Sequence, residues 1–412
     1  MKFSKIIEYL IFFLVAVFPF GVLLRIPLTI SGFPEIHLYL IDLVSFLIFI
    51  FWLLDQLIFK KRPFLPFFWK DLLLFLGWLF VSWAINLKEF PFPQSLVGFL
   101  YLLRFLIFSS SCLIIFNLKK SKSNIIEDFV RNCFSFWAIT LSILGILQYL
   151  FIPDVRFLKF SGWDEHYFRV VGPFLDPNFM GILLVLGILN SLSLIFKGKR
   201  DKRDKGVKGE KRDMVARVSL PFLVISFLLT YSRSSYLALL VGVLTVLFLL
   251  RKLKYLFFFL FSFLFFILIL PRPGGEGVKL ERVTSALQRI ENWQTAIIVL
   301  KKSPIFGVGF NNYRYALRNL GYLGENWRET HAGAGVDNSF LFILVTSGII
   351  GFILFWNFWV KIIIRVFKSE NKIIKISFLS SIAAVFTHSF FINSFFYSWV
   401  LVWIWLMVGL LD

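Results

Sequence analysis

Apolar runs of about 17 to 25 residues recur along the whole chain, each long enough to cross a hydrocarbon core of roughly 30 Å as a helix. Inside such a core the backbone polar groups must be satisfied by the protein itself, which leaves helices or a closed barrel. Barrel strands alternate apolar and polar residues over short segments, whereas these runs are apolar on all sides. The expected fold is therefore all-α, a polytopic transmembrane helical bundle. Composition agrees, because a chain 58% hydrophobic and 17% charged carries more apolar surface than a soluble fold can hide.

Spans are expected near residues 6–24, 38–59, 70–87, 95–118, 132–152, 178–196, 218–232, 234–250, 254–270, 339–360, 376–392 and 396–411, about 12 in all. No A-x-A-like cleavage site follows the first run, which reads as a retained helix. The net charge of +20 would suggest nucleic acid in a soluble protein, but here the Lys and Arg residues cluster in short loops beside the apolar runs, so no nucleic acid is expected. With this span count the clusters at 60–62, 119–122, 197–217, 251–254 and 361–375 share one side with Lys2 and Lys5. The positive-inside rule then puts that side, and both termini, in the cytoplasm, with the protein in the cytoplasmic membrane among its lipids. Lys197 to Arg217 is nearly all charge and glycine and reads as a flexible cytoplasmic linker.

The opposite side holds residues 153–177, a tight Tyr231 to Ser234 connection and a large extracytoplasmic loop, 271–338. Val283, Leu287, Ile290, Ile297 and Leu300 in that loop recur at helical spacing, which predicts an amphipathic helix at the membrane surface. Pro304, Gly307 and Gly309 should end it and leave a turn with open backbone amides.

Arginines on an outer side run against the charge bias, so Arg169, Arg233, Arg282 and Arg289 point to an anionic ligand. Arg233 lies between two apolar runs, where a central Arg costs about 2.5–3.5 kcal/mol; snorkelling to the interface is the alternative. For Arg289 the alternative is a solvated helix face. His331, Asp337 and Asn338 stand just before a span, and Asp337 reads either as a helix cap or as a reactive carboxylate. The chain has no D-x-D pair, no GxxxxGK[ST] loop and no zinc-type His/Cys set, so neither a metal nor a cofactor is expected. Cys112 and Cys133 fall within predicted spans and take neither a disulfide nor a metal role.

Four blocks carry a resemblance: RVVGPFLDPNFMGILL at 169–184, LLTYSRSSYLALLVG at 228–242, RIENWQTAIIVLKKSPIFGVGFNNY at 289–313 and VDNSFLFILVTSGIIGFILF at 336–355. In this order they resemble the O-antigen ligase and polymerase family of bacterial membrane proteins, the WaaL and Wzy type. The resemblance implies an enzyme that moves a glycan from an undecaprenyl-diphosphate-linked donor to a hydroxyl of a glycan or lipid acceptor on the outer face of the membrane. It implies that Arg233 and Arg289, with Arg169 as a third, bind the diphosphate, and that Asn178, Trp293 and Asn338 support them. Asp337 stands where the ligases usually carry His, which leans the reading towards a polymerase. Asp337 and His331 both remain candidates for the base that deprotonates the acceptor.

The expected organisation is N-terminal helices over 1–168, a ligase-like core over 169–360 and C-terminal helices over 361–412. A lipid-linked glycan flippase or other transporter is the competing reading. It should place its polar groups near the bilayer midplane on broken helices, whereas here they gather in outer loops.

Overall fold

The Phe-rich apolar runs fold into helices because no water reaches their backbone groups, and the computed structural model of the chain describes residues 3–26, 37–161, 163–196, 207–325, 327 and 335–411. His331 lies outside the described residues. In chain order the helices are α1 (Phe3–Val17), α2 (Leu40–Ile58), α3 (Trp69–Ile85), α4 (Phe92–Phe151), α5 (Pro177–Ile195), α6 (Val207–Leu228), α7 (Arg233–Leu249), α8 (Leu256–Ile269), α9 (Thr284–Lys302), α10 (Tyr313–Asn319), α11 (Ser339–Phe367), α12 (Lys372–Ser389) and α13 (Ser398–Gly409). The described extended structure is one two-residue antiparallel pair, Arg25–Ile26 with Leu38–Tyr39, and an isolated bridge. The chain is an all-α, polytopic membrane protein.

Seven apolar helices among the described residues are long enough to cross a membrane: Phe3–Leu24, Leu40–Ile58, Trp69–Lys88, Phe92–Ser121, Ile125–Phe151, Pro177–Ile195 and Ser339–Phe367. Two of them lie within α4, whose 60 residues would measure about 90 Å as one rod. Their contacts run in opposite directions. Arg104 pairs with Asp42 at the start of α2 and Asn117 bonds Phe64 beyond its end, so the first arm follows α2. Phe12 packs on Phe129 and Val15 accepts from Trp137, so the second arm follows α1, which runs against α2.

One hydrophobic core extends from Ile7 to Leu411 and joins both ends of the chain. The Phe18 ring stacks on Trp137 at 3.7 Å, Phe134 stacks on Trp403, and the Trp399 indole donates to the Phe18 carbonyl. α13 is buried on every side, whereas α8 packs Phe259 and Phe263 on the core and turns Phe257, Phe258, Phe261, Phe265 and Phe266 outward, as a helix against lipid does.

The basic clusters gather at one end of the bundle. Lys119 bonds Leu410, Arg212 pairs with Asp128, Arg365 lies over Phe67 and Lys252 over Phe196. The expected linker is corrected in its second half: from Val207 onward it is the first turns of α6, anchored by the Arg212 pair at 2.9 Å, and only 197–206 fall outside the described residues.

The opposite end carries the loop. Its expected amphipathic helix is α9, which buries Ala296 and Val299 towards the protein while Val283, Leu287, Ile290 and Ile297 stay exposed. The following turn does not leave its amides open as expected. α11 breaks at Gly348 (φ 68°), and the segment after α9 fills the break: Val308 N donates to Val345 O, Ile349 N to Pro304 O, and Asn86 reaches Gly307 O. A Cβ at Gly348 would lie 2.0 Å from Ile305 O, and one at Gly307 2.5 Å from Ser347 N.

Candidate functional site

The Tyr231–Ser234 connection is as tight as its sequence suggests. α6 ends at Leu228, Tyr231 takes a left-handed conformation, and Ser232 caps α7 by accepting from Ser235 N. Arg233 is therefore the first residue of α7, at a helix N-terminus where an anion is favoured. It does not snorkel. Its Nη1 donates to Leu280 O (3.2 Å) and Arg282 O (2.7 Å), and its Nη2 to Ser285 Oγ (2.6 Å), so it clasps the start of the large loop. Of five guanidinium N–H groups, the Nε–H and one Nη2–H stay uncommitted among the described residues.

Arg169 lies beneath this turn. Its Nε donates to Thr230 O at 2.9 Å and its Nη2 to Tyr231 O, while Val170 N bonds Leu229 O. Burial, with Arg282 nearby, pushes its pKa down to about 9. This guanidinium is built into the turn that presents Arg233.

α9 supplies the facing wall through one helical face, Arg289, Asn292 and Trp293 at i, i+3 and i+4. Asn292 accepts from Asp337 N at 2.8 Å, and the Trp293 indole donates to Asp337 O at 3.0 Å. These bonds hold Asp337 within reach of the Arg289 charge. Arg289 is half-buried and makes no hydrogen bond or ion pair among the described residues. Burial lowers its pKa, the nearby Asp337 opposes that shift, and Arg233 adds to it. Ser285, which Arg233 bonds, lies one helical turn before Arg289 on α9.

Asn338, not Asp337, caps α11, accepting from Phe340 N (2.9 Å) and Leu341 N (3.0 Å). The cap reading of Asp337 is thereby displaced onto its neighbour. The Asp337 side chain stays exposed to solvent and makes no hydrogen bond among the described residues. Desolvation by the surrounding protein raises its pKa, Arg289 opposes the rise, and Asp176 and Asp164 add to it. Asn178 bridges two elements: its Oδ1 accepts from Ser232 Oγ at 2.8 Å, and its amide, with that of Phe179, is capped by Asp176.

The structure thus brings Arg233, Arg289, Asp337, Asn338, Trp293 and Asn178 to one end of the bundle, with Arg169 as their support. Sequence reading passed over Asn292, Asp176 and, above all, His388. His388 is fully buried in the last turn of α12, against Ser234 and Ser235. The signal was present, since a His inside an apolar run is costly and calls for a reason.

These elements from α6 to the first turns of α11 form one stretch of sequence. Residues 218–356 match the O-Antigen ligase family model. The match supports assigning the chain to the O-antigen ligase and polymerase family, and it takes in Arg233, Arg289 and Asp337 but not the 169–184 block. No curated protein matches the chain. The family implies, in general, a glycan-transferring enzyme of surface-polysaccharide assembly.

Proposed function

We propose that the chain joins glycans by inverting, metal-independent transfer from an undecaprenyl-diphosphate-linked donor to a hydroxyl of a glycan or lipid acceptor, at the outer face of the cytoplasmic membrane. The observation that carries this reading is that Arg233 bonds Ser285 while Arg289 stands one helical turn further along the same helix, whose Asn292 and Trp293 hold Asp337. Two neighbouring cations with no carboxylate bonded to either among the described residues suit a doubly charged anion such as a diphosphate. The acceptor oxygen attacks the anomeric carbon as the bond to the diphosphate breaks. The departing electron pair stays on the diphosphate oxygen, where the two guanidinium groups stabilise it. The acceptor proton passes to the Asp337 carboxylate, whose raised pKa makes it a better base than an ordinary Asp.

Orientation follows from the basic end, which the positive-inside rule places in the cytoplasm with both termini, so that about 12 helices cross the membrane and the site faces outward. Residues 169–360 form the working core in this proposal, flanked by helices over 1–168 and 361–412. A transporter is less well supported, because the break in α11 is filled by the protein's own backbone. The test is a transfer assay with the purified chain and a lipid-linked glycan: product with a new glycosidic bond supports the proposal, and donor consumption without one overturns it.

A further inference from the structure

Beneath the arginines lies a buried polar network that the transfer chemistry does not use. His388 Nε2 is 3.0 Å from Ser234 Oγ and 3.1 Å from Ser235 Oγ, and its Nδ1 contacts Ser394 Oγ. Ser235 Oγ reaches Ser232 Oγ at 2.9 Å, and Ser232 Oγ in turn bonds the Asn178 side chain. Ser394 lies in the turn between α12 and α13, and the next residue donates its amide to Ser339 Oγ at the start of α11. One imidazole therefore joins the ends of α5, α7, α11 and α12 around the site.

We infer that His388 is the positioning residue of the donor site: it fixes the first turn of α7, and so the direction in which Arg233 leaves the helix. Arg233 stands between Ser232 and Ser234, both held in this network. Whichever tautomer the ring adopts, both nitrogens are engaged with serine hydroxyls and the residue is wholly buried, so it reaches neither donor nor acceptor. Arg289 lies within electrostatic reach of the ring as well. The imidazole thus sits against the turn that presents Arg233. A buried polar network with every member satisfied rigidifies its surroundings, and removing its hub takes the imidazole contact from three serine hydroxyls at once.

The inference rests on the proposed transfer reaction, and its test separates the two. Full-length chain in lipid nanodiscs is assayed with an undecaprenyl-diphosphate-linked glycan over a range of donor and of acceptor concentrations, with thermal melting as the fold control. His388→Ala, and separately Ser234→Ala with Ser235→Ala, should raise the donor KM roughly tenfold and leave the acceptor KM unchanged, because a small displacement of a binding group costs that much. His388→Gln, which keeps a donor and an acceptor, should restore most of the difference. Combining His388→Ala with the serine changes should add little, as expected for one shared network. Wild-type donor KM in a folded His388→Ala or serine variant overturns the inference, and so does an equal rise in donor and acceptor KM. A wild-type chain that binds donor but forms no glycosidic bond overturns the transfer reaction instead, and the variants' donor affinity then still decides the role of His388.

Discussion

The Trp293 indole hydrogen-bonds the backbone carbonyl of Asp337, at 3.0 Å, while the preceding residue of α9, Asn292, receives the Asp337 amide. Two adjacent side chains of one helix thus fix both backbone groups of the proposed base. The same helix face carries Arg289. The proposed donor-binding and proton-accepting groups, Arg289 and Asp337, are thus held by one helix face although they are far apart in sequence.

Trp293→Phe keeps an aromatic ring and loses this bond. A neutral hydrogen bond contributes about 1 kcal/mol, so transfer should slow roughly fivefold. Asn292→Ala should have a similar effect, and the double variant should lose less than the product of the two, since both hold one segment. Initial rates of the purified variants check this, and a fully additive pair contradicts the shared role.

Arg233→Lys keeps the charge and loses the planar fork. The Lys side chain cannot clasp Leu280 O, Arg282 O and Ser285 Oγ while presenting two parallel donors to a diphosphate. Transfer should fall tenfold or more, on the order of a lost charge-assisted bond of about 1.5–3 kcal/mol. A Lys variant with wild-type kinetics removes Arg233 from donor binding.

Asp337 must be ionised to accept a proton, and its pKa lies above the ordinary carboxylate value because desolvation by the surrounding protein outweighs Arg289. The rate should therefore fall as pH drops through that raised pKa, at a higher pH than for a free Asp side chain. Arg289→Gln removes the opposing cation, so the acid limb should move to still higher pH. Asp337→Asn should abolish the limb together with most activity. A pH–rate profile of the three proteins checks the order, and an unchanged limb in Asp337→Asn assigns it to another group.

Much of this was legible in the sequence, and what was missed has definite causes. Apolar runs gave the helices their places because bilayer-like periodicity leaves few alternatives. The resemblance carried by the four blocks pointed to Arg233, Arg289 and Asp337, which the structure brings to one end of the bundle. Asp337 and Asn338 were indistinguishable as caps, since Asp and Asn bond backbone amides equally well and only the backbone direction decides between them. Arg169 looked like a ligand because burial cannot be read from one loop residue. His388 vanished into a run read as a span, and its partners Ser234, Ser235 and Ser394 lie far off in sequence or beyond a turn. The charged stretch 207–217 read as linker because its Arg212 to Asp128 pair is long-range.

Gly348→Ala should lower the melting temperature strongly. A methyl group there meets Ile305 O at 2.0 Å in a left-handed conformation, and the obstacle is backbone rather than a movable side chain. The loss should exceed that of Gly77→Ala, where a Cβ meets nothing within 4 Å. Thermal melting in detergent compares the two, and equal melting temperatures contradict the packed break in α11.

Sidedness is checked by single-cysteine labelling. Cys112 and Cys133 are buried and give little background. A membrane-impermeant reagent should label Tyr322→Cys from outside intact cells and should reach Glu210→Cys only after permeabilisation. The reverse pattern would place the arginines in the wrong compartment.

The most direct measurement follows both products of one transfer. Purified chain in lipid nanodiscs, given an undecaprenyl-diphosphate-linked glycan and an acceptor, should release one undecaprenyl diphosphate for each glycosidic bond formed, with the anomeric configuration inverted. Arg289→Gln and Asp337→Asn should suppress both products together. Retained configuration would contradict the single displacement at Arg233, Arg289 and Asp337, and donor that crosses the bilayer without a new glycosidic bond would contradict transfer altogether.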